Sequence, residues 1–278
     1  NQKKMKTKQV ILITGASSGM GKETALHLIK EGHVVYGAAR RVEQMKELQE
    51  AGGHAVKLDV TYRDQINKVV KQIMDEQGRI DALINNAGYG LYGAVEDISM
   101  DKARHQFDVN IFGLAMITKA VLPHMRENRS GKIINISSMG GKMYTPMGAW
   151  YHATKHALEG WSDSLRLELK QFNIDVVIIE PGIIATEFGN VLHEPLLKNS
   201  GEGPYSEMAK KVAQATLKNY ENKGAASPSS VISKTISKVI KARKPKTRYR
   251  VGKLAKPLVW ARVVLGDRLF DKAVMSQV

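Results

Sequence analysis

The sequence predicts an α/β fold: a doubly wound, Rossmann-type parallel sheet of about seven strands, with helices on both faces, in a single domain. Two observations predict it. Short apolar runs of strand length alternate along the chain with amphipathic stretches of helix length, and this alternation is typical of a parallel sheet covered on both faces. The second observation is a glycine-rich segment between the first apolar run and the first helical stretch, where such sheets bind phosphate.

Six apolar runs are the predicted inner strands, and a helical stretch lies between each pair: residues 10–13, 34–38, 55–58, 80–84, 132–136 and 175–179. A run at 247–251 is predicted to add a last strand at the edge of the sheet. Helices are also predicted at 206–222 and at 229–243.

A long loop is predicted after the sixth strand. Residues 189–203 are rich in Gly, Pro, Asn and Ser, with only patches of apolar residues. Within one dinucleotide-binding catalytic domain of residues 1–278, we therefore expect a substrate lid at 186–223. A basic C-terminal extension is expected at 228–278.

Two helices are predicted to be longer than a crossing of the sheet requires, at about 101–126 and 149–171. Between them they carry Met, Leu and Trp, which extra core could explain. We expect instead a two-fold interface between copies of the chain, so that the protein forms a homodimer or a homotetramer.

The composition excludes several kinds of site. With no cysteine among 278 residues, the chain has no disulfide, no thiolate metal site and no cysteine nucleophile, and no metal is expected. No apolar run reaches the roughly 18 residues that a membrane-spanning helix needs. We therefore expect a cytoplasmic protein without a transmembrane segment.

The formal net charge of +15 at pH 7 is concentrated near the C-terminus. Between residues 234 and 272 there are 13 lysines and arginines against two aspartates. A basic patch of this kind can bind nucleic acid or an anionic membrane. Since no nucleic-acid-binding motif accompanies it, we interpret it as a solvated basic face and expect no nucleic-acid partner.

A phosphate-binding turn is predicted where the first strand ends. Residues 14–21 read TGASSGMG, a G-x-x-x-G-x-G spacing that differs from the standard G-x-G-x-x-G fingerprint. Glycine lets the backbone turn sharply and approach a pyrophosphate, and the helix that follows offers amide N–H groups. A tight loop without a ligand is the alternative. The candidate contacts are Gly15, Ser17, Ser18, Gly19, Met20 and Gly21.

Two arginines follow the second strand and favour NADP(H) as the cofactor. An NAD site would place Asp or Glu there to accept a hydrogen bond from the ribose 2′-hydroxyl, but this strand is followed by Arg40 and Arg41. Guanidinium groups suit a 2′-phosphate, which they can bind bidentately. Ser17 and Ser18 can add hydroxyl donors to the same phosphate.

Further cofactor contacts are predicted at the carboxyl ends of the other strands. Asp59 can accept from an adenine amino group, although it can also cap a helix. Small residues after the fourth strand, and the Pro-Gly that closes the sixth, fit a backbone that passes against the cofactor. These candidates are Asp59, Val60, Asn86, Ala87, Gly88, Pro181, Gly182, Ile184 and Thr186.

A tyrosine and a lysine four residues apart form the candidate catalytic pair. Tyr151 and Lys155 would lie one turn apart on one helix face, and the ammonium would lower the pKa of the phenol from its usual value of about 10. Such a phenol can exchange a proton with a carbonyl or alcohol oxygen. Two signals support the pair: Ser138, thirteen residues upstream, and Asn110, which is unfavourable in an apolar helix unless it has a task.

These motifs, in their order, resemble those of the short-chain dehydrogenase/reductase family in its single-domain form, over nearly the whole chain. Arg40 with the two serines resembles the NADP-preferring branch that includes 17β-hydroxysteroid and retinol-type dehydrogenases. The matching segments are T-G-x-x-x-G-x-G at 14–21, N-N-A-G at 85–88, Asn110, Ser138, Y-x-x-x-K at 151–155 and P-G-x-x-x-T at 181–186.

The resemblance implies an NADP(H)-dependent oxidoreductase that acts on a small-molecule carbonyl or alcohol. Tyr151 would be the general acid in reduction and the base in oxidation, and Ser138 would orient the substrate oxygen. Lys155 would lower the pKa of the phenol and bind the nicotinamide ribose, and Asn110 would hold a water that links Lys155 to solvent. The alternatives are an epimerase or dehydratase of the same fold, and a non-catalytic nucleotide-binding module with a basic docking surface.

Apolar side chains near the catalytic residues favour a bulky, weakly polar substrate (steroid-like, retinoid-like or aromatic) over a sugar. The alternative is that several of them pack the core beneath the lid. These side chains are Tyr89, Tyr92, Met139, Met143, Tyr144, Met147 and Phe188, with Val191, Leu192, His193, Leu196, Leu197, Tyr205 and Met208 from the lid region.

Overall fold

The strands are short and apolar, and most of them form one parallel sheet. The structure is a computed structural model that describes residues 8–186, 188–221 and 225–276. Its strands are β1 (Val10–Thr14), β2 (Val34–Ala39), β3 (His54–Lys57), β4 (Ala82–Asn85), β5 (Gly131–Ile136), β6 (Ile174–Pro181), β7 (Ile184–Ala185), β8 (Ser227–Pro228) and β9 (Arg248–Val251). Within those ranges, seven strands pair in the order β3-β2-β1-β4-β5-β6-β9, while β7 pairs with β8.

The strand order confirms the predicted doubly wound fold. From β1 the chain moves outward to β2 and β3, then returns past β1 to β4 and continues in the other direction. The carboxyl ends of β1 and β4 therefore border a crevice, which is where ligands bind in open parallel sheets. The edge strand predicted at 247–251 is β9, which pairs in parallel with β6.

Helices cover both faces of the sheet. The predicted long helix at 101–126 consists of an α-helix at Met100–Phe107, a π-helical segment at Asp108–Gly113 and an α-helix at Leu114–Glu127. The one predicted at 149–171 is an α-helix at Ala149–Leu169 followed by a 3₁₀ turn. Within the described ranges, no helix is both long and apolar enough to cross a membrane. The helices are α1 (Gly19–Lys30), α2 (Lys46–Glu50), α3 (Arg63–Gln77), α4 (Met100–Phe107), α5 (Leu114–Glu127), α6 (Ala149–Leu169), α7 (Phe188–Ser200), α8 (Ser206–Glu221), α9 (Ser230–Lys241) and α10 (Ala255–Met275).

Two apolar cores lie on the two faces of the sheet, because successive residues of a strand point to opposite faces. One core contains Leu12 and Leu83 with side chains of α3, α5 and α6. The other contains Ile13 and Ile84 with side chains of α1 and α9. All four of these strand residues are fully buried. Burial on both faces explains why the strands are continuous apolar runs in the sequence.

The prediction of a long loop at 189–203 is wrong, because most of this stretch is helix α7. Leu192 and Leu196 lie one helical turn apart, and both are buried. Leu196 packs with Ala209 and Ala213 of α8. The Gly, Pro and Asn residues made this four-residue apolar repeat hard to recognise in the sequence. The predicted lid region contains the two helices α7 and α8.

The prediction of a solvated basic face is wrong for two arginines of β9. Arg248 Nε lies 2.9 Å from Glu159 Oε2 and 3.2 Å from Glu180 Oε1, and Arg250 Nε lies 2.6 Å from Glu180 Oε2. Glu180 is completely buried, and burial raises the pKa of its carboxyl while the two arginines oppose that shift. The arginines therefore compensate carboxylates that the sheet has removed from water.

Candidate active site

A cleft of about 890 Å³ opens at the carboxyl ends of the central strands, where the strand order reverses. Most of the predicted cofactor contacts line it. They are Gly15, Ser17, Ser18, Gly19, Met20, Arg40, Arg41, Asp59, Val60, Asn86, Ala87, Gly88 and Thr186. Tyr89, His105 and Val109 line the cleft as well, although the sequence analysis did not assign them to the cofactor. Tyr89 directly follows the N-N-A-G motif and could have been included, whereas nothing in the sequence singles out His105.

The glycine-rich turn is packed tightly against the end of β4. Gly15 has φ +69°, and a Cβ there would lie 2.9 Å from the Ala87 Cα. A Cβ on Gly21 would lie 2.2 Å from the Gly15 carbonyl oxygen. The Asn86 amide donates to the carbonyl oxygens of Thr14 and Gly15 at 3.0 and 3.1 Å. Gly21 and the Asn86 side chain therefore shape the turn, which is a different role from the cofactor contact predicted for them.

The N-terminus of α1 faces the cleft in a form that suits phosphate. In α1, which lies wholly within the described residues, the side chain of the N-cap residue Ser18 makes no hydrogen bond to the first turn, and no acidic residue lies in that turn. Amide N–H groups of a first turn need partners from outside the helix, and their partial positive charge favours an anion. The residues present thus fit the diphosphate of a dinucleotide.

Polar side chains border the cleft near β2 and β3. Arg40 and Arg41 are exposed, and both line the cleft together with Ser17. Asp59 lines it too, but its Oδ1 accepts hydrogen bonds from the Thr61 N–H at 3.0 Å and from the Thr61 hydroxyl at 2.8 Å. Asp59 does not cap the helix that follows, whose N-cap residue is Tyr62. It closes a local turn instead, and an adenine contact would use the remaining carboxylate oxygen.

Besides Gly21, Tyr151 and Lys155, three further predicted cofactor residues, Pro181, Gly182 and Ile184, do not line the cleft. Pro181 ends β6 and is buried. A Cβ on Gly182 would lie 2.0 Å from the Lys253 carbonyl oxygen, so the chain crossing there requires glycine. Ile184 is buried in the core that includes Ile232. Packing explains why these residue types occur, and their contact with a cofactor stays a prediction.

The predicted catalytic residues meet beside this cleft. Ser138 follows β5, and its hydroxyl is hydrogen-bonded to the phenol of Tyr151 on α6. The Ser138 oxygen also accepts from the Gly140 N–H at 3.0 Å, which directs its proton toward the phenol. Lys155 Nζ lies 5.9 Å from the centre of the Tyr151 ring and donates to the Ile136 carbonyl oxygen at 2.9 Å.

The pKa shift that we predicted for Tyr151 is wrong in sign for this structure. Burial raises the pKa of the phenol, and the hydrogen bond from Ser138 opposes that shift. Burial also lowers the pKa of Lys155 to about 8, against the opposing effect of Glu159. The sequence showed the neighbouring charge but not the loss of water around both groups, and desolvation is the larger effect here.

Asn110 lies in the π-helical segment and joins three parts of the site. Its Nδ2 donates to the Tyr89 carbonyl oxygen at 3.0 Å and to Thr154 Oγ1 at 3.1 Å, and its Oδ1 accepts from the Tyr89 N–H at 3.2 Å. A Cβ on Gly88 would lie 3.1 Å from Asn110 Oδ1 and 4.0 Å from Lys155 Nζ. Asn110 thus positions the backbone next to Lys155, and the predicted water relay stays a prediction.

His152 is a positioning residue that the sequence analysis missed. Its Nε2 accepts from the Thr145 N–H at 3.1 Å, and its Nδ1 lies 3.0 Å from the Gly140 carbonyl oxygen, to which it donates. These bonds fasten the segment that carries Ser138 to the helix that carries Tyr151. Burial lowers the pKa of His152 to about 4, so the ring is neutral at pH 7. The motif Y-x-x-x-K hides this residue, because His152 occupies one of its variable positions.

A family profile for short chain dehydrogenases matches residues 9–196. The chain belongs to the short-chain dehydrogenase/reductase family. It is therefore an oxidoreductase, and its fold binds a nicotinamide cofactor.

Individual relatives span nearly the whole chain. A 3-ketodihydrosphingosine reductase from Bacteroides thetaiotaomicron is 39% identical over 90% of this chain and 90% of its own length. The crystal structure of a short-chain dehydrogenase from Streptomyces avermitilis superposes with a TM-score of 0.80 at 32% identity, over 92% of this chain and 93% of the other. A serine dehydrogenase complexed with NADP⁺ has a TM-score of 0.77 at 30% identity, over 89% and 96%.

Many of the apolar side chains that we assigned to a substrate wall pack against one another. Met147 and Leu196 are buried in a cluster with side chains of α8, and Tyr205 and Met208 pack on it. The alternative interpretation, core beneath the lid, therefore holds for these residues. Tyr92 packs on the same cluster, and its ring centre also lies 5.8 Å from that of Tyr151. The side chains of Phe188 and Val191 lie outside the described residues.

We expect the stability of the protein to fall as the pH is lowered from about 6.5 toward 4, in part because of His152. Its pKa is about 4 when folded and 6.5 when exposed, so the unfolded chain binds the extra proton throughout that interval. The free energy of unfolding should decrease by up to about 1.4 kcal/mol per pH unit from this group. Denaturant unfolding of the native protein and of His152→Asn at several pH values measures the difference, which isolates His152 from other titrating groups. Equal slopes for the two proteins would contradict the assignment.

Proposed function

We propose that the protein is an NADP(H)-dependent reductase or dehydrogenase that interconverts an apolar carbonyl compound and its alcohol. The observation that supports this most strongly is the joint placement of Ser138, Tyr151 and Lys155 beside the cleft. The hydroxyl comes from the carboxyl end of β5, and the phenol and the ammonium come from α6. The hydroxyl is hydrogen-bonded to the phenol, and the ammonium lies 5.9 Å from the centre of the phenol ring.

The residues of the chain supply the proton chemistry at that oxygen. When bound, the nicotinamide cofactor supplies the hydride or accepts it. Ser138 holds the carbonyl oxygen by a hydrogen bond, and Tyr151 donates its proton to the same oxygen in reduction or withdraws it in oxidation. Lys155 stabilises the phenolate that remains, and its place near Gly88 also suits a hydrogen bond to the nicotinamide ribose.

The preference for NADP(H) follows from the rim of the cleft. Arg40 and Arg41 line it where an NAD site would have a carboxylate, and Ser17 lies on the same wall. The positive charges of Arg40 and Arg41 favour a 2′-phosphate on the cofactor. The structure of a related serine dehydrogenase contains NADP⁺, which supports the same choice.

An apolar substrate is supported by one side chain and by one relative. Tyr92 places an aromatic ring next to Tyr151. The relative from Bacteroides thetaiotaomicron is a reductase of 3-ketodihydrosphingosine, a ketone on a long alkyl chain. We therefore extend the proposed substrate class from steroid-like, retinoid-like and aromatic compounds to long-chain ketones. The narrower resemblance to the 17β-hydroxysteroid and retinol-type branch stays a prediction.

Replacing Arg40 by Asp should reverse the preference for NADPH. We expect the native protein to favour NADPH over NADH by at least about tenfold in kcat/KM, which corresponds to about 1.4 kcal/mol. Asp at position 40 removes a phosphate partner and adds repulsion. Kinetics with both cofactors measure the ratio, and Arg126→Asp, an equal charge change on an exposed arginine of α5, is the control. A native enzyme that prefers NADH would contradict the proposal.

A substrate panel tests the reaction itself. The panel contains 3-ketodihydrosphingosine, a steroid ketone, an aromatic ketone, a sugar and a small hydroxy acid, and each is assayed by the change in NADPH or NADP⁺. We expect an apolar ketone to give the highest kcat/KM, and Tyr151→Phe to abolish turnover while cofactor still binds.

Net consumption of NADPH separates this function from an epimerase or dehydratase, which would retain the cofactor through turnover. A sugar that equals the best apolar ketone would refute the substrate class. A Tyr151→Phe variant that keeps more than a few percent of the native rate would refute the mechanism.

We predict an oligomer that forms through the two long helices. Phe112 on the π-helical segment and Leu167 on α6 are large apolar side chains that are exposed in the single chain, Leu167 to 71%. Burial of such groups between copies would remove them from water. Light scattering at micromolar concentration should show a dimer or tetramer, and Leu167→Glu should shift it to a smaller species while Val95→Glu, on an exposed loop, should not. A native monomer would contradict this.

A further inference from the structure

The C-terminal helix α10 covers one border of the active site and was not foreseen from the sequence. Its inner side buries Ala255, Val259 and Phe270. Gly266, with φ 66° and ψ −175°, interrupts the helix and divides it in two. The helix thus has a packed inner side, and the opposite side is exposed.

The outer side of α10 carries a group of exposed apolar residues before Gly266, whereas Asp267, Arg268 and Lys272 are exposed after it. Trp260 is 65% exposed and Val263 77% exposed, and Val264 is exposed beside them. Positions three and four residues apart share a helix face, so these three side chains form one patch. Leu269 adds another exposed side chain after the interruption. Single apolar residues on a surface are ordinary, but a contiguous group marks a place of contact with a partner.

A cationic groove borders the N-terminal end of this patch. The groove encloses about 620 Å³, and its walls include Arg250, Lys253 and Lys256. Lys256 lies one turn before Trp260 and so shares its face. The guanidinium of Arg250 also binds Glu180. An apolar face that contains Trp and begins at a group of basic side chains is the arrangement of helices that lie in the interface of an anionic membrane.

We propose that α10 docks on the surface of an anionic lipid bilayer, with Trp260, Val263 and Val264 entering the interface and Lys253 and Lys256 meeting the headgroups. Charge favours this occupant over a second copy of the chain. A two-fold contact would place the same basic groove on both partners, and the nearby acids Asp267 and Asp271 are already engaged within their own chain. A bilayer supplies the opposite charge together with an apolar phase.

The docked helix would place the active site at the membrane. Phe270 of α10 packs on Tyr144 with ring centres 5.3 Å apart, and Asp271 accepts a hydrogen bond from the Tyr144 hydroxyl at 2.8 Å. Tyr144 belongs to the segment that begins at Ser138. A surface-bound enzyme could therefore take up an apolar substrate from the bilayer. The docking itself does not rest on the proposed function, because vesicle binding is measured without turnover.

Vesicle flotation of the full chain tests the proposal. The vesicles contain either phosphatidylcholine alone or two parts phosphatidylcholine with one part phosphatidylglycerol, at low and at high salt. We expect binding to the anionic vesicles at low salt, weaker binding at high salt, and roughly tenfold weaker binding by Trp260→Glu, Val263→Glu and Lys256→Glu. Tyr62→Glu, which replaces another exposed aromatic side chain beyond the opposite edge of the sheet, should bind as the native protein does.

Several results would overturn the proposal. They are the absence of native binding to anionic vesicles, equal binding to both kinds of vesicle, or an equal loss of binding by Tyr62→Glu. A variant whose melting temperature falls is replaced by Val264→Thr, which changes an exposed methyl group to a hydroxyl with little change in size. If a second copy of the chain covers this face instead, light scattering should show an oligomer that Trp260→Glu dissociates. Vesicles would then bind neither the native protein nor the variant.

Discussion

The buried ammonium of Lys155 is the group on which the arrangement of the candidate active site depends. Removal of an ammonium from water is unfavourable unless charge and hydrogen bonds compensate it. The Ile136 carbonyl oxygen accepts from it at 2.9 Å, and Glu159 lies one turn further along α6. Glu159 is itself buried and is compensated by Arg248 of β9 at 2.9 Å and by Lys142 at 3.2 Å. Alternating charges therefore connect Lys155 to the last strand of the sheet, so that β9 supports the candidate active site although its residues do not line the cleft.

The sequence was sufficient for those features that local pattern determines. Strands β1, β2, β4, β5 and β6 are rich in buried apolar residues, and the glycines of the first turn are required by backbone geometry, so both could be predicted. Only Val56 is buried in β3. The position of Ser138 beside Tyr151 could be predicted only from the family resemblance, since β5 and α6 are brought together by the whole sheet. The sign of the pKa shift of Tyr151 could not be predicted, because it depends on how completely the surrounding chain excludes water. The ion pairs of Glu180 could not be predicted because their partners are distant in sequence. The partners of His152 are only seven and twelve residues away, but His152 occupies a variable position of Y-x-x-x-K.

The two halves of the site differ in how closely they follow the family. The profile match ends at residue 196, and it therefore includes the glycine-rich turn, Asn110, Ser138, Tyr151 and Lys155. Helices α8, α9 and α10 lie beyond it, and α10 is the element that packs on Tyr144. The residues proposed for cofactor binding and proton transfer thus lie in the part of the chain that the family profile matches. Helix α10 lies outside that part, and a family assignment defines the reaction class more sharply than the substrate.

The π-helical segment at Asp108–Gly113 makes the position of Asn110 depend on the number of residues in this helix. A π turn holds one residue more than the α-helical turn it replaces, so it corresponds to a single-residue insertion between α4 and α5. A one-residue deletion there would restore a regular helix and keep the two flanks in nearly the same orientation, but it would change the direction in which the residues of the wider turn point. Asn110 would then leave Tyr89 and Thr154. The contacts of Asn110 therefore depend on the number of residues in this segment, which a comparison of residue types position by position does not show.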